Sequence, residues 1–595
     1  MAKLIQLIVL IPILLTSCTN SGKKSTTTQS AETGKTFDRM LNSYYEEGLK
    51  LKPINATFAG DSRYNNSFPN FLSDEYHEEV KAFYSGYKDS LLLFKDEDLS
   101  ESQQMSKVIL KWECDINLEE FNFRKDLFPI DQMWSVNLVM GQFAGGKSAQ
   151  PFKTVQDFQN WLERVDGFVV WLDSAEMKME EGMKLGYVLP KSLIVKVIPQ
   201  LGALANGDVQ NHLFYQPVKN FPDSFSDADK KELTEAYTKM ITEKIVPEFK
   251  KLHDFMQNDY LKAGRESSGI WDIPNGEAYY AHQIKKSTTT EMTAEEIHQL
   301  GLKEVERITA EMENVKIEVG FKGDLKSFFN FVRNDKKLMP YKEPQQILDH
   351  FQDIYTRMKP NLDVLFDQKP KTGFEIKETE KFREKSASAQ YNPGSLDGTR
   401  PGVFYVPIPD AAKYNIYSDE SLFLHEAIPG HHYQNSLTHE NKDLPMFRKT
   451  LWYSGYGEGW ALYCESMGKQ LGLYTDPYQY FGRLSGEMHR AIRLVVDTGI
   501  HYKKWTREQA IQYSMDHEAR SEAGITAEIE RYMANPGQAL SYKIGELKIE
   551  ELRDKARKEM GDKFDIRQYH NQVLATGCVP IEILEQTIDK WISGL

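Results

Sequence analysis

The chain predicts a mainly α-helical protein with one small β element, and three observations carry that expectation. Long stretches place apolar residues three and four positions apart, the spacing of one helical face. Thr293-Ala294-Glu295-Glu296 and Thr506-Arg507-Glu508-Gln509 have the form of capping boxes that open helices. A single turn-rich stretch, Gln390 to Pro407, ends in the β-prone run Val403-Phe404-Tyr405-Val406.

In chain order, residues 1–17 come first. Met1-Ala2-Lys3 gives one positive charge, 4–15 is an almost unbroken apolar run, and Leu15-Thr16-Ser17-Cys18 closes it. The run is too short to span a bilayer comfortably and suits a secretory signal. Its ending resembles a bacterial lipoprotein lipobox, which implies cleavage before Cys18, lipidation of Cys18, and contact with a membrane only through that lipid. The expected location is the bacterial cell envelope, on the periplasmic or outer-membrane face. Residues 18–35, rich in Ser, Thr, Gly and Lys, are expected to form a flexible tether.

Helical periodicity then covers 105–123, 154–183, 230–259 and 293 to about 315. Residues 36–290 are assigned to an N-terminal helical region and 291–595 to a catalytic region, intertwined in one unit, because no Pro/Gly cluster reads as a linker. The Val403–Val406 strand leaves two readings open: an edge that pairs with an extended peptide, or a plain surface hairpin. Cys114, Cys464 and Cys578 have no C-x-x-C spacing, so neither a disulfide framework nor a cysteine metal site is expected, while a single disulfide between two of them stays open in an oxidising compartment. The composition, 40% hydrophobic and 27% charged over 595 residues, is that of a soluble globular protein. A formal charge of −14 argues against a nucleic-acid partner.

The chemistry concentrates in Leu424 to Gln434, L-H-E-A-I-P-G-H-H-Y-Q. In H-E-x-x-H the two histidines share a helical face and one metal. Here Pro429 occupies the second histidine position, and His431 and His432 follow at six and seven residues from His425. On a straight helix His431 would lie roughly 9 Å further along the axis. Joint ligation therefore requires Pro429-Gly430 to bulge out; His432 takes the role if three residues are extruded. Downstream, Gly457-Glu458-Gly459-Trp460-Ala461-Leu462-Tyr463-Cys464-Glu465 sets two glutamates seven apart on an apolar helix. Buried carboxylates need a metal or a partner, so a ligand or a structural ion pair both fit Glu458 and Glu465.

These motifs are similar to those of zinc peptidases of the thimet oligopeptidase, carboxypeptidase Taq and angiotensin-converting enzyme type, with two residues inserted before Gly430-His431. In such enzymes a ligand glutamate follows H-E-x-G-H after about 25 residues. The combination of H-E-A-I-P-G-H-H, G-E-G-W-A-L-Y-C-E and V-D-T-G-I-H resembles a bacterial family, domain of unknown function 885, from about residue 36 to the C-terminus.

The resemblance implies one Zn2+ per chain held by His425, His431 and Glu458, with His432 and Glu465 as alternatives, Glu465 otherwise orienting a ligand histidine. It implies Glu426 as general base toward a metal-bound water, and a tyrosine and a histidine from the C-terminal part as oxyanion donors. Tyr542 and His501 are the candidates, with Arg493 and Tyr532 beside the substrate; a buried Arg493–Asp497 pair and core tyrosines give the same pattern. The implied architecture is two helical lobes around a deep cleft, and the implied function is hydrolysis of short peptides outside the cytoplasm. A zinc amidase acting on cell-wall peptides and a non-catalytic peptide-binding lipoprotein are the alternatives. No feature of the sequence fixes an oligomeric state.

Overall fold

The computed structural model describes residues 24–594 except 382, 383, 385–387 and 397. The signal segment 1–17 and Cys18 lie outside the described residues. Helix α1 (Lys24–Leu51) begins inside the stretch expected to be a tether, so residues 24–35 are helical. Its register is set just downstream, where Phe37 and Leu41 are fully buried, and Gln103 donates to the Gly34 carbonyl at 3.1 Å and to Asp38 at 2.8 Å. An amphipathic face that docks outweighs the polar composition before it.

The structure is mainly helical, as periodicity predicts. Helices α2 (Glu101–Glu120), α3 (Val155–Leu185) and α4 (Ala294–Glu318) each open on a complete capping box, at Ser100/Gln103, Thr154/Asp157 and Thr293/Glu296. Residues 227–263 form one run in which Ile241–Ile245 and Met256–Tyr260 are π turns. Among the described residues, no helix is long and apolar enough to cross a membrane. Cys114, Cys464 and Cys578 are buried free thiols.

One hydrophobic core joins residues 37–114 to residues 347–588, so packing runs across the boundary expected at 290. A second core is built within residues 68–260 around Trp161, Phe168 and Trp171.

Strands β1 (Phe374–Glu378), β2 (Gln390–Asn392) and β3 (Gly402–Val406) form a sheet ordered β1-β3-β2. β1 is parallel and β2 antiparallel to β3. The β-prone run Val403–Val406 is thus the central strand, with both edges paired. It offers no edge to a peptide, which corrects that expectation; burial of Val403, Phe404 and Val406 in the core is the reason. The edge beside the histidines belongs to β2.

The sheet leads into α5 (Asp419–Glu426), α6 (His431–Glu440), α7 (Ser454–Ser466) and α8 (Pro477–His501). The helix opened by Thr506 follows as α9 (Arg507–His517), then α10 (Glu522–Ala534) and α11 (Ser541–Met560). α7 and α11 touch backbone to backbone: a Cβ on Gly545 would lie 1.8 Å from the Gly455 carbonyl oxygen, and one on Gly459 2.5 Å from the Gly545 backbone. Only glycine permits this approach, which sets the depth at which α7 carries Glu458.

Candidate metal centre

The site begins where α5 stops. The helix ends at Glu426 because Pro429 cannot continue it, and Ala427 turns away at φ −106°, ψ −104°. The chain does not bulge within one helix; it breaks, and a new helix starts at His431. Gly430 passes directly over the end of α5, where a Cβ would sit 1.9 Å from the His425 carbonyl oxygen and 2.4 Å from that of Leu424. Two bonds hold the turn: His432 N donates to the Ala427 carbonyl at 3.1 Å, and Trp460 Nε1 donates to the Pro429 carbonyl at 3.0 Å. The turn brings His431 back beside His425, with ring centroids 4.9 Å apart and planes at 87°.

Glu458 completes the cluster. Its Oε2 lies 3.5 Å from Nε2 of His425 and 3.5 Å from Nε2 of His431, and the three ligand atoms all fall within 4.8 Å of one another. Tetrahedral zinc with bonds near 2.0–2.1 Å sets its ligand atoms about 3.3 Å apart, so the spacing fits such an ion. Two imidazoles and one carboxylate, with room for another group, are also the donor set of catalytic zinc. Behind the cluster, His425 Nδ1 bonds to Glu465 Oε1 at 2.8 Å, which turns Nε2 toward Glu458. His431 packs against Trp452, ring centroids 5.8 Å apart.

His432 is excluded from the cluster. Its Nδ1 bonds to the Tyr391 hydroxyl at 2.9 Å, its ring packs on Phe374, and burial pushes its pKa down to about 4. It fastens α6 to the sheet.

Opposite charges dominate the electrostatics of the cluster. Burial works to neutralise His425, but Glu458 and Glu465 outweigh it and hold its pKa at about 9. Burial also disfavours charge on Glu458, yet the two histidines keep its carboxyl well below the usual range. Glu426 behaves oppositely: burial raises its pKa against the pull of His425 and His431. It makes no hydrogen bond to another described residue.

A cavity of about 860 Å³ opens over the cluster, lined by His425, Glu426, His431, Glu458, Arg490, Arg493 and Tyr542 among others. Tyr542 and Arg493 therefore belong to the site, the Arg493 guanidinium 4.6 Å from the Tyr542 ring centroid. Tyr532 does not line the cavity. It stands behind Arg493, accepting from Nε at 3.0 Å and donating to Glu528 at 2.6 Å, and so positions Arg493 rather than meeting substrate.

His501 is not an oxyanion donor. Its Nδ1 accepts from Ile270 N at 2.9 Å, its Nε2 pairs with the Tyr532 carbonyl at 3.0 Å, and burial lowers its pKa to about 3. A neutral ring with both nitrogens engaged by backbone is a structural strut. Asp497 is likewise structural, accepting from the Tyr280 hydroxyl at 2.6 Å and from Gly537 N at 3.1 Å. His501→Phe should therefore leave zinc content unchanged but cost about 2–6 kcal/mol of stability by stranding two buried backbone groups, seen as a lower melting temperature. Loss of zinc without loss of stability would return His501 to the site.

Sequence reasoning missed Arg490, Glu528 and the His489–Glu518 pair, bonded at 2.7 Å. The usable signal was helical spacing: Arg490 sits three residues before Arg493, and Glu528 four before Tyr532.

Comparison with curated proteins finds no match. Two solved structures share the fold. A proposed lipoprotein from Colwellia psychrerythraea is 27% identical with a TM-score of 0.86, over 95% of this chain and 100% of its own. A proposed lipoprotein of unknown function from Shewanella oneidensis is 18% identical with a TM-score of 0.75, over 92% of this chain and 99% of its own. A family model matches residues 53–588, and the chain belongs to that family, the bacterial proteins of unknown function designated DUF885.

Proposed function

We propose that the protein is a zinc-dependent peptidase of the bacterial cell envelope that hydrolyses short peptides. One observation carries this reading: His425, His431 and Glu458 converge, with their ligand atoms within 4.8 Å of one another and Glu458 3.5 Å from each histidine, while Glu426, without a hydrogen bond to another described residue, faces the same cavity. A pure binding site has no need of that carboxylate. The lipobox ending at Cys18 and the two solved relatives, both proposed lipoproteins, support the envelope location.

His425, His431 and Glu458 would hold a zinc ion, which when bound would supply Lewis-acid polarisation of the scissile carbonyl and activation of water. The remaining work falls to side chains of this chain. Glu426 accepts the proton of the attacking water and returns it to the departing amine. Its burial, which favours the protonated form, suits that transfer. Tyr542, whose hydroxyl makes no hydrogen bond to another described residue, donates to the oxyanion. Glu465 keeps His425 in one orientation. Gln390 and Tyr391 of β2 line the cavity wall with Ser388 and Ala389, so the edge of β2 can pair with an extended peptide through backbone groups.

The test is a defined mixture of short peptides, incubated with zinc-loaded protein and read by mass spectrometry. Cleavage at defined bonds, lost on chelation and restored by zinc, is expected. Intact peptides that nevertheless bind would establish the peptide-binding alternative, and cleavage confined to cell-wall peptides the amidase.

A further inference from the structure

We infer that Arg490 and Arg493 form a cradle for a substrate carboxylate close to the bond that is cleaved, so that the site selects peptides bearing a free carboxylate there. The inference rests on the peptidase reading and adds the substrate class.

Both arginines on α8 line the cavity, and both hold guanidinium donors without a partner among the described residues. Arg490 Nη1 donates at 3.2 Å to the carbonyl of Gly486 in its own helix, and its Nε is buried without a partner. No carboxylate of a described residue lies within ion-pair distance of Arg490. Arg493 spends Nε on Tyr532 and Nη2 on Glu528, at 3.0 and 3.2 Å, and its Nη1 is also buried and unpartnered. The two guanidinium groups lie over the same ring, 5.9 and 4.6 Å from the centroid of Tyr542. Buried polar groups without partners are rare and costly, and both of these side chains line the same cavity.

The surrounding charge points the same way. Beyond Glu426, Glu458 and Glu465 at the metal cluster, the cavity wall carries Arg490, Arg493, Arg520 and Arg531 with two acids, Glu518 and Glu528, in a chain whose net charge is −14. Glu528 does not neutralise Arg490, because it is shared by Arg493, Arg531 and His489 at 3.2, 3.3 and 3.5 Å. A guanidinium pair matches a carboxylate through parallel N–H···O bonds. A phosphate dianion is disfavoured by Glu426, Glu518 and Glu528 around the same volume.

Arg490 also fixes where that carboxylate lies. A Cβ placed on Gly486 would be 3.5 Å from Arg490 Nη1 and 3.3 Å from Glu465 Oε2, the acid that braces His425. The bound carboxylate is thus a near neighbour of the reacting carbonyl.

Matched peptides test this: free C-terminal acid against C-terminal amide, and internal Asp or Glu against Asn or Gln. In the wild type, one of the two neutralisations should lower kcat/KM about 10–100-fold, the effect of losing a charged hydrogen bond, and which one tells a terminal from a side-chain carboxylate. R490Q should shrink that ratio toward one, with R490K retaining part of it. Equal cleavage of all peptides by the wild type, or an unchanged ratio in R490Q, would overturn the cradle. Calorimetric binding of the same peptides to zinc-loaded E426Q gives a readout without turnover. Carboxylate-dependent binding that needs Arg490, in a protein that cleaves nothing, would keep the cradle and discard the peptidase reading; binding indifferent to the carboxylate would discard the cradle.

Discussion

Glu426→Gln should lower peptide turnover by about 10²–10⁴-fold, the usual worth of general base catalysis, while the zinc content stays at that of the wild type. Glu426 follows His425 directly, which on a helix turns it about 100° from the ligand, and it lies in the cavity rather than in the core. It has no hydrogen bond to another described residue, so glutamine breaks no such bond and keeps the size of the side chain. What glutamine removes is the ability to hold a proton. The prediction is checked by steady-state kinetics and metal analysis on one preparation. Loss of zinc together with activity would make Glu426 a ligand or a structural group, and full activity would place the chemistry elsewhere.

His425→Ala and Glu458→Ala should each abolish both zinc binding and turnover. The cluster has three donors, and two cannot hold zinc in a site that also needs an open position. Glu465→Gln should have a smaller effect, lowering zinc affinity about 10–100-fold, because it weakens only the bond that orients His425. The graded series is the point. A structural ion pair between Glu458 and the histidines would predict loss of stability in all three variants, without any ranking in metal affinity. Zinc titration of the three purified variants, with melting temperatures measured alongside, separates the two accounts.

The helical class and the capping boxes were legible in the sequence because each depends on local spacing, whereas the grouping of His425, His431 and Glu458 rested on the resemblance of their motifs to those of zinc peptidases. His425 and Glu426 are neighbours on α5, and Glu458 stands on α7, so their meeting depends on how the two helices pack. His431 was harder, since its place depends on how a four-residue turn folds back. The packing that decides it, Gly430 over the end of α5 and Trp460 on the Pro429 carbonyl, comes partly from a helix thirty residues on. His501 failed for the converse reason. Its helical phase with Arg493 is real, but tertiary packing turns the end of α8 against Ile270 and Tyr532. The strand run at Val403–Val406 was found, but its neighbours were not. β1 is a parallel partner from nearly thirty residues upstream, and pairing of that kind leaves no short-range mark. The tether likewise ended earlier than its composition implied, because helix α1 is fixed by the burial of Phe37 and Leu41 rather than by its own first residues.

The most direct measurement is the zinc stoichiometry of the purified wild-type protein after equilibration with zinc and removal of the excess. Convergence of His425, His431 and Glu458 predicts about one tightly held ion per chain, the stoichiometry of a single tetrahedral site. A folded preparation that remains metal-free after exposure to zinc would contradict the account at its centre.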